Sequence, residues 1–391
     1  MTERLYYTDA RLARFSASVV AVENHGRHVV LDRTAFYPTS GGQRYDTGRL
    51  GATAVVDVID EETRVVHVCA EPCGYAVGDA VEGQIDWDRR FHHMQQHSGQ
   101  HLLSALLSDA YGWPTVSVHF GDATNTVDVA GSSIEPDTIP EIERQVNQMA
   151  VENHIITVTF EEATRAIGLR KASDRDGVLR IVTIEDVDRS ACGGTHVTHT
   201  GEIGAILLRR AERTKGNTRL EFVCGLRAVA RARADATLLT AIAREFTASP
   251  DDLPVLVETQ HRRVTELERE RKRLMTDLSR HEAQARWDEA PPNASGIRHI
   301  RLDPVSGPVR DAEPLVQALL TLGSSVVLVL SPSTGGVMLG ASEGSRVDAG
   351  QALRTALQAM GGRGGGSPRL AQGTVAGTLE LNAVANTLGF S

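Results

Sequence analysis

Arg89-Arg90-Phe91-His92-His93-Met94-Gln95-Gln96-His97-Ser98-Gly99-Gln100-His101-Leu102-Leu103-Ser104-Ala105-Leu106-Leu107-Ser108-Asp109-Ala110-Tyr111 is the stretch on which the fold turns. Its apolar positions Met94, Leu102, Leu103, Leu106 and Leu107 lie at helical spacing, which predicts one long helix with a buried face. His97 and His101 stand four apart on that helix, so their Cβ atoms lie about 5–6 Å from each other on one side. Two imidazoles so placed suit a single metal ion. Taken alone, the pair reads more readily as a solvated helix face.

Upstream of the helix, short β-rich runs (Val19–Val22, His28–Leu31, Ala54–Val58, Val65–Val68) alternate with Gly and Asp. That punctuation predicts a small antiparallel barrel or meander. Downstream, strands are expected at Val116–Phe120, Thr126–Val129, Ile155–Phe160, Arg180–Ile184 and Ile206–Arg210, with a helix from Ile139 to Asn153. Helical signals then run over 225–290. Apolar residues at Val257, Val264, Leu267, Leu274 and Leu278 follow a heptad that Gln260, Arg271 and His281 interrupt. An antiparallel hairpin is the first reading of this section and an intermolecular coiled coil the second. Pro291-Pro292-Asn293 reads as a linker. Alternating strand and helix signals follow over 296–391, with a Gly-rich loop at Gly361–Pro368. The fold class is therefore α+β: a β-barrel over 1–90, an α/β metal-binding domain over 91–224, a helical section over 225–290 and a small α/β domain over 296–391.

At roughly 150 residues per domain, 391 residues allow two to three domains. The net charge of −9 excludes a uniformly basic nucleic-acid binder and leaves room only for a local basic face. Arg209 to Asp235 is such a place. Arg209, Arg210, Arg213, Lys215, Arg219, Arg227, Arg231 and Arg233 face only Glu212, Glu221 and Asp235 there. The longest aliphatic run, Val326 to Leu330, is far short of the ~20 residues that span a bilayer. No membrane partner is expected. The N-terminal residues hold no apolar signal core, so a cytoplasmic location is expected. Four cysteines cannot staple a chain of this length, which fits a reducing compartment and a metal role for some of them.

Cys192-Gly193-Gly194-Thr195-His196 supplies the second half of a metal site. A thiolate and an imidazole joined by two glycines form a tight loop whose donors can converge. With His97 and His101 the set is three nitrogens and one sulfur, a borderline-soft quartet that favours Zn2+. The rival pair Cys69 and Cys73 has no histidine at ligand spacing and reads as a strand end and a turn.

His97 to Leu103 together with Cys192 to His196 resembles the zinc signature of the editing domain of alanyl-tRNA synthetase, shared by the free-standing alanyl-tRNA editing proteins. The loop Thr34-Ala35-Phe36-Tyr37-Pro38-Thr39-Ser40-Gly41-Gly42-Gln43, with Asp46 and Gly48 after it, is similar to the Gly-rich motif of this alanine branch rather than of its threonyl cousin. Arg90 to Met94, Ser117 to Gly121 and Thr200 to Gly204 extend the likeness over about 1–225. Arg44 stands where the family loop continues with Pro, and Ser98-Gly99 replaces Thr-Ala. The stretch from Gly361 to Gly373 is similar to the domain that ends alanyl-tRNA synthetases and long-form editing proteins.

The resemblance implies a zinc-dependent hydrolase that deacylates Ser-tRNA(Ala), and also Gly-tRNA(Ala), with no aminoacylation domain of its own. Gln43 and Thr34 are then the expected catalytic pair: Gln43 orients water or the ester carbonyl, and Thr34 meets the serine hydroxyl. Gly41, Gly42, Arg44 and Asp46 become expected substrate contacts. Arg209, Arg210, Arg213, Lys215 and Arg219 become expected tRNA contacts. The helical or C-terminal section offers a homodimer contact. The competing reading is a non-enzymatic tRNA-binding protein with a structural zinc.

Overall fold

The computed structural model describes residues 1–131, 134–172, 176–302 and 306–390. Its contacts divide the chain into two units, Met1–Ile242 and Ala243–Ser391.

In the first unit, β1 (Arg14–Glu23), β2 (His28–Leu31), β3 (Gly48–Leu50), β4 (Thr53–Glu61), β5 (Arg64–Cys69) and β6 (Ala80–Ile85) pair in a ring. The order is β1-β2-β5-β4-β3-β6, and β6 closes on β1 from Arg14↔Gln84 to Ser18↔Ala80. Alternation along β1 shows why the ring holds together: Phe15, Ala17 and Val19 are buried, whereas Arg14, Ser16, Ser18 and Val20 face water. Val29, Leu31, Phe36, Leu50, Val58 and Val65 complete the interior. Cys69 ends β5, Cys73 lies in the following turn, and both are free thiols buried against this core.

The chain leaves the barrel through α1 (Trp87–Tyr111). Asp86 starts this helix by accepting the Arg89 N–H at 3.2 Å, and Gly112 ends it in the left-handed conformation (φ 67°). From Met94 to Leu107 every residue of α1 is buried. A four-stranded antiparallel sheet covers one side of it. That sheet is built from β7 (Thr115–Phe120), β8 (Asn125–Ala130), β12 (Ile206–Thr214) and β13 (Asn217–Cys224), in the order β12-β13-β8-β7. Leu102, Leu103 and Leu107 pack with Val127, Leu220 and Phe222 of this sheet and with Ile142 and Val146 of α2 (Ile139–Val151). A separate three-stranded sheet, β9 (Ile156–Glu162), β10 (Val178–Ile184) and β11 (Asp188–Ala191), carries the loop that follows residue 191. Gly99 lies against Cys224: a Cβ there would stand 2.4 Å from the Cys224 sulfur, so only glycine lets α1 approach β13 this closely.

α3 (Gly225–Glu245) spans the division between the units. The second unit begins with α4 (Leu253–Glu289), on which Val257, Val264, Leu267, Leu274 and Leu278 are all exposed. Near the end of α4, Ala283 and Trp287 pack with Ile300, Val316 and Leu319. A five-stranded sheet follows, ordered β14-β15-β16-β18-β17. Its strands are β14 (Arg298–Leu302), β15 (Ser325–Ser331), β16 (Gly336–Ala341), β17 (Arg363–Gly366) and β18 (Leu370–Thr374), with α5 (Glu313–Leu322), α6 (Ala349–Ala359) and α7 (Thr378–Thr387) between and after them.

Two expectations are corrected here. Pro291-Pro292-Asn293 is no free linker. Pro292 bridges to Arg298, the Asn293 side chain accepts the Ser295 and Ile297 N–H groups, and the Arg298 guanidinium lies over the Trp287 ring. The Gly-rich stretch is not a loop either. Arg363–Gly366 pairs with β18, and a Cβ at Gly364 would come 2.5 Å from the Leu357 side chain of α6, so glycine there brings strand and helix together.

Candidate metal centre and its cavities

α1 holds His97 and His101 one turn apart, and the loop after β11 brings Cys192 and His196 to them. The four donor atoms lie within 4.8 Å of one another. Each imidazole is fastened from behind. His97 Nδ1 donates to Gln43 Oε1 at 2.9 Å, His101 Nδ1 donates to Asp188 Oδ2 at 2.9 Å, and His196 Nδ1 lies 3.1 Å from Ser98 Oγ. With Nδ1 engaged, Nε2 is the atom left for the centre. The Nε2 atoms of His97 and His196 both lie 3.4 Å from Cys192 Sγ. Three inward imidazole nitrogens and a thiolate are a donor set that fits Zn2+.

A second layer steadies the first. Asp188 accepts from Arg170 Nε at 2.6 Å and from Ser190 Oγ at 2.9 Å, and Arg170 continues to Asp109 at 2.7 Å. Gln43 sits beyond a two-residue turn in which Ser40 and Gln43 pair and Gly41 and Gly42 both have positive φ (55° and 86°). Such a turn is costly for any residue with a Cβ. Its buried amide is fully engaged: Nε2 donates to Thr195 Oγ1 at 2.8 Å, and Oε1 accepts the Thr195 N–H at 3.0 Å besides His97. At Gly194 a Cβ would fall 2.1 Å from the His97 ring, so the metal loop can pass His97 only as glycine.

The charges follow from this packing. Burial disfavours a Cys192 thiolate, yet the imidazoles of His97, His196 and His101 hold its pKa well below the ordinary thiol range. Burial also opposes charge on His101, but its hydrogen bonds to Asp188 and Cys192 raise its pKa. Burial takes His196 down to about 3, so it stays a neutral imidazole at any physiological pH, as a ligand must.

Two cavities flank the donors, and both touch Gly41 and Ala191. One, of about 660 Å3, is bordered by His101, Asp188, Arg170 and Lys171. The other, of about 420 Å3, is bordered by His97, Cys192, Tyr7, Tyr37, Phe160 and Arg180. Tyr7, Phe160 and Arg180 are not singled out by the sequence reading. A lone charge inside the apolar run Val178-Leu179-Arg180-Ile181-Val182 is the signal that marks Arg180.

Family descriptions match in two places: that of the threonyl and alanyl tRNA synthetase second additional domain over residues 179–221, and that of class II (A) tRNA synthetases over residues 6–89. The alanyl-tRNA editing protein AlaX-L of Pyrococcus horikoshii is 30% identical over 397 residues, covering 96% of this chain and 95% of that protein. The chain belongs to the alanyl-tRNA editing protein family. AlaX-M of Methanosarcina mazei, another relative, is 35% identical over 244 residues and covers 57% of the chain. The alanine–tRNA ligase of Pyrococcus abyssi is 31% identical over 96% of the chain, which spans only 42% of that ligase. A solved C-Ala domain from Aquifex aeolicus alanyl-tRNA synthetase aligns with 24% of the chain at 21% identity and a TM-score of 0.21, too low to bear on the fold.

In this editing-family chain the remaining expected residues fall into different surroundings. Thr34 is fully buried in the barrel. Its Oγ1 donates to His67 Nε2 at 2.7 Å and accepts the Phe36 N–H at 3.0 Å, which argues against a direct contact with a substrate hydroxyl. Asp46 is also fully buried, accepting the Tyr37 N–H at 2.6 Å and pairing with Arg90 at 2.5 Å. That pairing makes it a latch between loop and helix rather than a substrate contact. Arg44 pairs with Asp122. Gly41 borders both cavities, and Gly42 packs toward Phe120. Much of the basic stretch is neutralised within the fold: Arg209 pairs with Asp235 at 3.5 Å, Arg210 with Glu221 at 3.0 Å and Arg219 with Asp128 at 2.7 Å. Arg213 and Lys215, near the β12–β13 turn, form no ion pair among the described residues.

Proposed function

We propose that this chain is a zinc-dependent trans-editing hydrolase that cleaves the aminoacyl ester of tRNA(Ala) mischarged with serine, and of the glycyl form as well. The observation that carries the reading is the convergence of buried His97, His101 and His196 with half-buried Cys192 beside two cavities. Bound there, Zn2+ would polarise the ester or lower the pKa of a water. The chain's own residues supply the positioning. Gln43 and Thr195 hold His97, and Asp188 and Arg170 hold His101. Correction of this kind is needed because a pocket built for alanine rejects the extra hydroxyl of serine only about 100-fold. A site that pairs with that hydroxyl reverses the preference, since alanine then leaves a buried polar group unsatisfied.

One feature favours a second reading. Four protein donors are the number found in closed, structural zinc sites, whereas catalytic sites usually keep one position open. A tRNA-binding protein with a structural zinc is that alternative. The exposed heptad on α4 supports a homodimer contact, and the absence of any described helix long and apolar enough to cross a membrane fits the cytoplasmic location proposed for it.

The test is a deacylation time course with Ser-, Gly- and Ala-tRNA(Ala), run beside a metal assay. The hydrolase reading expects one zinc per chain, cleavage of the seryl form, sparing of the alanyl form, and loss of activity in His97→Ala and Cys192→Ala. Cleavage that survives removal of all four donors would overturn the metal role. Retained tRNA affinity without cleavage would establish the second reading.

A further inference from the structure

Three guanidiniums come together where the barrel loop, α1 and the start of α3 meet, away from the residues that border the two cavities. Arg44, next to Gln43, pairs with Asp122 in the turn between β7 and β8. Arg227, in the first turn of α3, donates to the carbonyls of Gly121 (2.9 Å) and Asp122 in that same turn. Arg89, in the first turn of α1, donates to the Tyr45 carbonyl at 3.0 Å and lies over the Tyr45 ring, 5.2 Å from its centre. Residues 44 and 45 thus carry one arginine and seat another, and the 121–122 turn holds two.

Carboxylates do not balance this cluster. Among the described residues Asp122 alone pairs with any of the three, and it pairs with Arg44. Asp86 is engaged at the start of α1 by the Arg89 N–H and the Thr47 hydroxyl, and Asp88 stands about 100° round the helix from Arg89. His93, one turn after Arg89 on the same face, reports the imbalance. Burial, and then the charges of Arg89, Arg227, Arg90 and His92, pull its pKa down to about 4. Arg90 is answered by Asp46, whereas Arg89 and Arg227 are answered only by carbonyls. Half-buried cations without a carboxylate, in a chain of net charge −9, leave a place for an anion brought from outside. The three cations stand on separate elements rather than round a cavity, which suits a run of anionic groups better than one small ion. Their position follows from the metal site. Phe120, just before the turn, has its ring 5.2 Å from that of His97, and Gln43, just before Arg44, accepts from His97. A nucleic-acid backbone that brings its 3′ ester to the quartet has phosphates to place nearby, and phosphate contacts are what set orientation and register.

We propose that Arg89 and Arg227, with Arg44 at their edge, form a phosphate-binding cluster that holds the backbone of the tRNA acceptor stem. The assignment rests on tRNA being the substrate, as the hydrolase reading has it, but it is tested by binding alone. The probe is an unacylated RNA hairpin carrying the acceptor stem of tRNA(Ala), titrated with the full chain at several salt concentrations and followed by fluorescence anisotropy. Arg89→Gln and Arg227→Gln each lower the slope of log affinity against log salt by about 1, and the pair together by about 2. Lysine at either position keeps the slope, because a phosphate contact of this kind needs the charge rather than the fork. An unchanged melting temperature shows that the variants fold, and if Arg227→Gln fails that check the Arg89→Gln slope decides alone. Inorganic phosphate displaces the hairpin only far above the hairpin's Kd. Displacement at comparable concentrations would make the ligand a small anion and overturn the proposal. Unchanged slopes in both glutamine variants, or a loss seen with whole tRNA but not with the hairpin, would overturn it too. A failed hydrolase reading would appear separately, as no ester cleavage in the deacylation time course while these slopes hold.

Discussion

Gln43 Oε1 accepts the His97 Nδ1 proton at 2.9 Å, so a residue of the barrel loop aims a donor on the helix that follows the barrel. The family resemblance leads one to expect an amide that orients water or the ester carbonyl. The structure shows both ends of that amide occupied, by His97 and by Thr195. Gln43 is thus a positioning residue. Gln43→Ala is expected to weaken zinc affinity about 10- to 100-fold, the usual consequence of losing such a partner. Competition with a chromophoric chelator measures this, and an unchanged affinity would return Gln43 to a direct role in the chemistry.

Asp46 and Arg90 form an ion pair with no solvent exposure on either side. Asp46→Ala strands the Arg90 guanidinium inside the protein, at an expected cost of about 3–5 kcal/mol in urea unfolding. A substrate contact would behave differently, raising KM while leaving the unfolding midpoint in place.

His67 is entirely buried, donates Nδ1–H to the Val29 carbonyl at 3.0 Å and accepts the Thr34 hydroxyl. Burial pulls its pKa down to about 4. The unfolded chain binds a proton near pH 6.5 that the folded chain refuses until about pH 4. Stability is therefore complete above pH 6.5 and falls as pH drops through that window, by up to about 3 kcal/mol. Urea midpoints measured from pH 7 to pH 4 should show the decline, and His67→Gln should flatten it.

Arg213 and Lys215 form no ion pair among the described residues, unlike Arg210 and Arg219. Replacing either of the first two with serine is expected to lower the slope of log affinity against log salt for tRNA by about 1. The same change at Arg210 or Arg219 should move the slope less. Equal effects at all four positions would show that tRNA breaks the internal pairs.

Much of the architecture is readable without coordinates because its signals are local. α1 announces itself through helical apolar spacing, and β1, β2, β4 and β5 through β-branched runs. β3 and β6 escape notice for physical reasons. β3 has only three residues, and β6 places Gly83 where a larger inward side chain would have marked the alternation. The barrel's closure is a long-range pairing of β6 with β1 that no local pattern encodes. Of the candidate site, the four donors are visible because metal chemistry restricts residue type and spacing. Asp188, Arg180 and Phe160 are not, since an acid, a base and an aromatic on strands acquire meaning only once β9, β10 and β11 lie side by side. Thr34 and Asp46 are visible as residues, but their interior partners, His67 and Arg90, are not.

Gly99 sits between His97 and His101 along the helix, on the turn that meets Cys224. The depth at which both imidazoles stand is thereby governed from behind, by a missing methyl group. Alanine at this position would wedge α1 away from β13 and lift the two rings together, while Cys192 and His196 stayed on their own loop. A change that touches no donor would pull the quartet apart along a single line, and replacing Cys224 with a smaller residue should let it close again.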